Sequence, residues 1–221
     1  MPVGGTERID DIVNTLDSLL GNLLLISGMW MVGLSAISTK LTLYALQTVA
    51  VGVLAILVGI AHHETALIMA GAGVLVLKGI AAPLYLSYLT HVVGCRKDVG
   101  SLLASPLLLL VCAAAVGGLY LFHPFRASVP PGALPAIGVI LVGMILMVSR
   151  RLAISQIIGF LVLENGMFYF TVTIPHSLPL LVELGVLLDI MAGTMIAGVL
   201  TFQISDSFEH IDILRLNHPR K

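Results

Sequence analysis

The stretch Leu41-Thr-Leu-Tyr-Ala-Leu-Gln-Thr-Val-Ala-Val-Gly-Val-Leu-Ala-Ile-Leu-Val-Gly-Ile-Ala61 holds no Asp, Glu, Lys or Arg and is closed by Lys40 on one side and His62-His63-Glu64 on the other. About 20 predominantly apolar residues are needed to carry a helix across the hydrocarbon of a bilayer, so this segment reads as a membrane span. The surrounding chain repeats the pattern. Apolar runs of spanning length extend over Leu19–Ile37, Leu41–Ala61, Thr65–Val93, Leu102–Phe122, Ala133–Ser149, Leu152–Thr173 and Leu178–Ile204, about seven in all. The breaks carry turn residues and charge: Ser38-Thr39-Lys40, Gly94-Cys95-Arg96-Lys97-Asp98, the Pro-rich stretch from Phe122 to Pro135, Arg150-Arg151 and Ile174-Pro175-His176. The expected fold is all-α, a polytopic transmembrane helix bundle forming a single integral membrane domain over residues 1–221.

Composition agrees. Of 221 residues 58% are hydrophobic and 10% charged, too few charges to cover a water-soluble domain of this length. Eleven Lys and Arg against twelve Asp and Glu give a net charge of -1, which excludes a basic nucleic-acid footprint. The N-terminal residues are acidic (Glu7, Asp10, Asp11, Asp17) where a secretory signal is basic, and Ile9, Ile12, Val13, Leu16 and Leu19 at helical spacing suggest an extension of the first span, with an amphipathic lead-in lying at the interface as the alternative. Lys and Arg sort by alternate loops. Lys40, Arg96, Lys97, Arg150, Arg151, Arg215, Arg220 and Lys221 fall on one side, and Arg8 and Arg126 on the other. Positive residues favour the cytoplasmic side, so the N terminus is expected outside and the C terminus inside.

Four ionisable residues stay within the apolar spans: Lys78, Glu164, Glu183 and Asp189. Each costs about 2.5 to 3.5 kcal/mol near mid-membrane on insertion scales, and such residues mark ion or proton paths. They are the expected proton-path residues, with Lys78 offsetting one of the carboxylates; a buried ion-pair network that only fixes helix register is the competing reading. Glu183 lies near the start of its helix, where the dipole favours a carboxylate. Gly185, Asp189, Gly193, Ala197 and Thr201 recur every fourth residue as a small and polar stripe. Pro83 follows Lys78 closely and frees a backbone carbonyl. Cys95 and Cys112 form no CxxC pair, the histidines have no ligand spacing, and no P-loop, GxGxxG or CxxCH occurs. No catalytic residue, metal site or cofactor is expected. All loops are short, which argues against a stand-alone enzyme.

The last three spans carry a resemblance. Ser149-Arg150-Arg151, Gly159, Glu164-Asn165-Gly166, Glu183-Leu184-Gly185-Val186-Leu187-Leu188-Asp189, Gly198-Val199-Leu200-Thr201 and Phe208-Glu209-His210-Ile211-Asp212 resemble the hydrogenase-4 component E family. That family belongs to group 4 membrane-bound [NiFe] hydrogenases, including formate hydrogenlyase-type assemblies, and its C-terminal part is similar to subunit K of respiratory complex I and to the matching subunit of Mrp-type antiporters. The resemblance implies an N-terminal four-helix part (1–130) and a subunit K-like three-helix part with a cytoplasmic tail (131–221). Arg151, Gly159 and Asn165 keep the spacing of subunit K. Leu161 stands where that subunit has a Glu, and Glu164 comes one turn later, near the same helix face. By resemblance the chain is a non-redox accessory subunit of a complex I-like hydrogenase assembly in a bacterial or archaeal cytoplasmic membrane. Its partners there are antiporter-like and other membrane subunits, with nickel-iron and iron–sulfur subunits on the cytoplasmic side. The alternatives are a subunit of a Mrp-like cation/proton antiporter and a purely structural scaffold.

Overall fold

The computed structural model describes residues 6–93, 98, 104–121, 130, 132–174 and 193. The described chain is helical: α1 (Thr6–Gly33), α2 (Ile37–Ala61), α3 (Thr65–Val74), a π-helical stretch (Leu75–Ala81), α4 (Ala82–Val93), α5 (Ser105–Leu121), α6 (Ala133–Ser149) and α7 (Ala153–Thr173). Helix is the only open-ended element whose backbone groups are all satisfied within the segment, which is what hydrocarbon demands. Four stretches have the length and apolar character of a span: Thr15–Gly33, Ile37–Ala61, Thr65–His91 and Ala153–Thr173. The apolar helices α5 and α6, at 17 residues each, are shorter. Six of the seven expected spans thus coincide with described helices, and the seventh, Leu178–Ile204, falls outside the described residues but for Gly193. The acidic N-terminal segment continues directly into the first span as one 28-residue helix.

Helix α7 is the centre of the bundle. Of its membrane window 67% is buried, against 17% for the third span, so α7 is surrounded by protein while α3 to α4 is largely open. It packs chiefly on α6 and on α2; α1 lies on α6 and α2, α5 on α6 and α1, and α3 to α4 on α2. The approach of α6 to α7 is set by glycine. A Cβ on Gly159 would stand 2.5 Å from the Met147 backbone nitrogen, and one on Gly143 would collide with the Leu163 backbone. A Gly52–Gly71 contact brings α2 and α3 together in the same way, a Cβ on Gly71 falling 2.9 Å from the Gly52 carbonyl oxygen. Small residues at such crossings let backbones touch where lipid offers no hydrophobic drive for association. The outward faces carry Leu19, Leu23, Ile26 and Trp30 on α1 and Met69, Val76, Leu77 and Ile80 on the third span, all exposed, as a lipid-facing surface requires.

The turns are tight. Residues 34–36 link α1 to α2, His62 to Glu64 link α2 to α3 with His63 in the left-handed region (φ 56), and Arg150 to Leu152, in extended conformation at both ends, link α6 to α7. Accordingly the C-terminal ends of α1 and α6 share one end of the bundle with the N-terminal ends of α2 and α7.

Gly159→Leu inserts a side chain against the α6 backbone and is expected to lower the unfolding free energy in detergent micelles by about 3 kcal/mol or more. Gly73→Leu, whose Cβ meets nothing within 4 Å, serves as the control and should shift thermal unfolding little.

Candidate functional site

The π-helical stretch Leu75–Ala81 carries Lys78. A π turn widens the helix by one residue, presents a side chain at an angle the α-helix does not offer, and recurs at functional positions. Lys78 Nζ lies 2.9 Å from Glu164 Oε1, with the side chains 8% and 1% exposed. The pair bridges the third span and α7. Glu164 and Asn165 are both buried, and Asn165 Nδ2 donates to Thr48 Oγ1 of α2 at 2.8 Å, so the polar notch of α7 is held from two sides. Thr48 in turn donates to the Tyr44 carbonyl at 3.0 Å. Next to Thr48 on α2, Gln47 Nε2 donates to the Leu24 carbonyl (2.9 Å) and to Ser27 Oγ (2.8 Å), fixing α2 to α1. Of the four ionisable residues expected in the spans, the structure brings Lys78 and Glu164 together; Glu183 and Asp189 lie outside the described residues.

A second buried ionic group stands at the α2 N-terminal end. Asp98 Oδ2 is 2.7 Å from Lys40 Nζ and 3.3 Å from Arg150 Nη1, with side-chain exposures of 0%, 0% and 1% for Asp98, Lys40 and Arg150. The Asp98 amide donates to the Ser35 carbonyl at 2.8 Å, and Arg150 Nη2 donates to the Val32 carbonyl. Gln156 closes the group from α7, its amide donating to the Arg150 carbonyl at 2.8 Å. This corrects the sequence reading of Lys40 and Arg150 as loop charges. Both side chains turn inward, because two cations and one carboxylate satisfy one another and the frayed carbonyls at the end of α1 better than separate exposure would. Arg151, next in sequence, is exposed. Nothing in the local sequence separates Arg150 from Arg151; the signal is the carboxylate at Asp98, which only the fold brings near.

At the opposite end Asp17 of α1 is buried. Thr173 Oγ1 donates to Asp17 Oδ1 at 3.2 Å, the Tyr169 hydroxyl donates to the Asp17 carbonyl at 2.7 Å, and the Gly132 backbone N–H serves the same carboxylate. Sequence reading had placed Asp17 only among the acidic residues that exclude a signal peptide.

Chemically, the ionisable residues among these can hold and exchange protons. Among the described residues no group of three or more His, Cys, Asp or Glu could hold a metal ion, and Cys112 is a buried free thiol in α5.

No protein-family model matches the chain, and no solved structure matches it. Among curated proteins it is 30% identical over 184 residues to the uncharacterized protein Rv0085 of Mycobacterium tuberculosis, covering 80% of this chain and 84% of that protein. It is 24% identical over 205 residues to hydrogenase-4 component E of Escherichia coli and of Shigella flexneri, covering 89% of this chain and 94% of theirs.

Removing the central carboxylate by Asp98→Ala strands two buried cations, so the unfolding free energy in micelles should fall by about 3 to 5 kcal/mol. Arg151→Ala, at an exposed neighbour, should move it by no more than about 0.5 kcal/mol.

Proposed function

The chain belongs to the family of Rv0085 and hydrogenase-4 component E, and from that premise we propose that it is a non-redox membrane subunit of a hydrogenase-type, complex I-like assembly, where it takes part in proton translocation and in seating its neighbours. The observation that carries the reading is the Lys78–Glu164 pair, a charge pair placed inside the bundle at a π-helical turn. A pair that served packing alone could be replaced by apolar side chains at little cost, since desolvation consumes most of its attraction. A titratable pair on a widened turn has a use that packing does not supply. Protonation of Glu164 cancels its charge and removes its attraction for Lys78. The next proton transfer, or a change in the turn, then restores the pair.

Glu183 and Asp189 of the last expected span complete the path in this reading, Glu183 near a helix start and Asp189 on the stripe of small residues. The orientation that fits the loop charges puts the C-terminal tail in the cytoplasm, where nickel-iron and iron–sulfur partners would sit, and leaves antiporter-like subunits as neighbours in the membrane plane. The chain contributes no redox centre of its own in this scheme. Electron transfer is the partners' work, and this subunit couples to it through charge.

Glu164→Gln and Asp189→Asn keep side-chain shape and remove the charge. In the assembled complex reconstituted in proteoliposomes, each is expected to lower the protons moved per hydrogen turned over, read from quenching of a pH-sensitive dye; wild-type ratios in both variants would sink the reading.

A further inference from the structure

Buried polar side chains continue from the mid-membrane pair in both directions. On α2, Lys40, Tyr44 and Thr48 recur every fourth residue and are each fully buried. On α7, Asn165, Tyr169 and Thr173 do the same, with Asn165 and Tyr169 buried. Residues four apart lie one above another on a helix, so each set forms a polar line. The two helices run in the same direction, since Lys40 and Arg150 meet at Asp98 at their starts. The lines join at the Asn165–Thr48 hydrogen bond (2.8 Å), one residue from Glu164. The α7 line ends on Asp17 through Thr173 and Tyr169, and the α2 line ends on the Lys40–Asp98–Arg150 group. At a rise of 1.5 Å per residue each line covers about 12 Å, together about 24 Å of a hydrocarbon core about 30 Å thick.

We propose that these lines form one transverse proton route with Glu164 at its midpoint, Lys40 as the donor group at one membrane face and Asp17 as the acceptor at the other. The proposal rests on the proton-translocating reading above and adds its direction and its ends.

The two ends suit opposite tasks. Among the described residues two cations share one carboxylate at the Lys40 end, and release of a proton from Lys40 Nζ leaves Arg150 and Asp98 as a pair of opposite charges. An N–H bond breaks there and an O–H bond forms on water between the lines; the proton passes by way of Tyr44 and Thr48 hydroxyls to a Glu164 carboxylate oxygen. From Glu164 it moves by water and the Tyr169 and Thr173 hydroxyls to Asp17, and from Asp17 to bulk water, while Lys40 takes a proton from the other face. No electron changes hands, and one proton enters for each that leaves. At the acceptor end the carboxylate receives a hydroxyl from Thr173 and a backbone N–H from Gly132.

The measurement is protons moved per hydrogen turned over by the assembled complex in proteoliposomes, for the wild type and for Asp17→Asn, Asp17→Glu, Tyr169→Phe, Lys40→Met and Glu164→Gln. Asp17→Asn and Lys40→Met should each lower the ratio by about 100-fold, the scale of a lost proton-transfer group, and Asp17→Glu should restore it. Where Asp17→Asn fails to assemble, Tyr169→Phe decides in its place, with the same loss expected because it removes one hydroxyl and nothing else. A wild-type ratio in Asp17→Asn or in Lys40→Met, with Glu164→Gln inactive, overturns the transverse route and leaves the Glu164 reading standing. A wild-type ratio in Glu164→Gln alone overturns the route, whose midpoint is Glu164, and a wild-type ratio in Asp189→Asn as well overturns the proton-translocating reading on which the route rests.

Discussion

A carboxylate in the middle of a helical membrane bundle needs a partner for its charge, and Glu164 is answered by Lys78 at 2.9 Å. That requirement reaches into the rest of the fold. For the ammonium to arrive, the third span must come within one side-chain length of α7, and the Gly52–Gly71 contact that presses α2 on α3 contributes to that approach. For the carboxylate to be enclosed, α6 must lie against α7 at backbone distance, and Gly143 and Gly159 permit it. The glycines and the charges therefore belong to one constraint. Close packing brings the two charges together, and the pair is what makes such packing tolerable for a charged residue.

Polar side chains in this bundle are concentrated on the inner faces of α2 and α7, while the third span keeps one buried cation on an otherwise lipid-facing surface. The division has a physical origin. Helix α7 is covered on several sides and can carry Glu164, Asn165, Tyr169 and Thr171 without exposing them to hydrocarbon. The third span is covered mainly by α2, so a residue as polar as lysine is admissible on it only where it faces another charge. The π-helical turn sits where that demand is greatest, at Lys78. Backbone widened by one residue lets the following residues return to their own packing after the lysine has been aimed.

Much of this was legible in the sequence, and the parts that were not share one cause. Uncharged runs between charged breaks mark the helices, because an apolar run of spanning length has few other uses. Lys78 and Glu164 stood out for the same reason inverted: a charge within such a run is costly and must be matched. The sequence could not say that Lys40 and Arg150 face inward. They sit at helix ends, where a lysine or arginine is ordinarily a solvated flanking charge, and their partner Asp98 is 58 residues from Lys40. Asp17 escaped for the corresponding reason: its partners Tyr169 and Thr173 lie more than 150 positions along the chain, and neither side chain is itself charged. Positions whose cost is visible within one helix can be read locally, whereas positions made acceptable by a remote partner cannot.

The inward turn of Lys40 and Arg150 bears on orientation as well. Loop charges act while a chain inserts, before its helices have packed, so an inward-turned cation is compatible with the orientation expected from the sequence. Without them the asymmetry keeps its sign: Arg96, Lys97, Arg151, Arg215, Arg220 and Lys221 on one side against Arg8 and Arg126 on the other, six against two. In the folded bundle the two cations are drawn onto Asp98, where they tie the end of α1, the start of α2 and the α6–α7 turn into a single ionic joint.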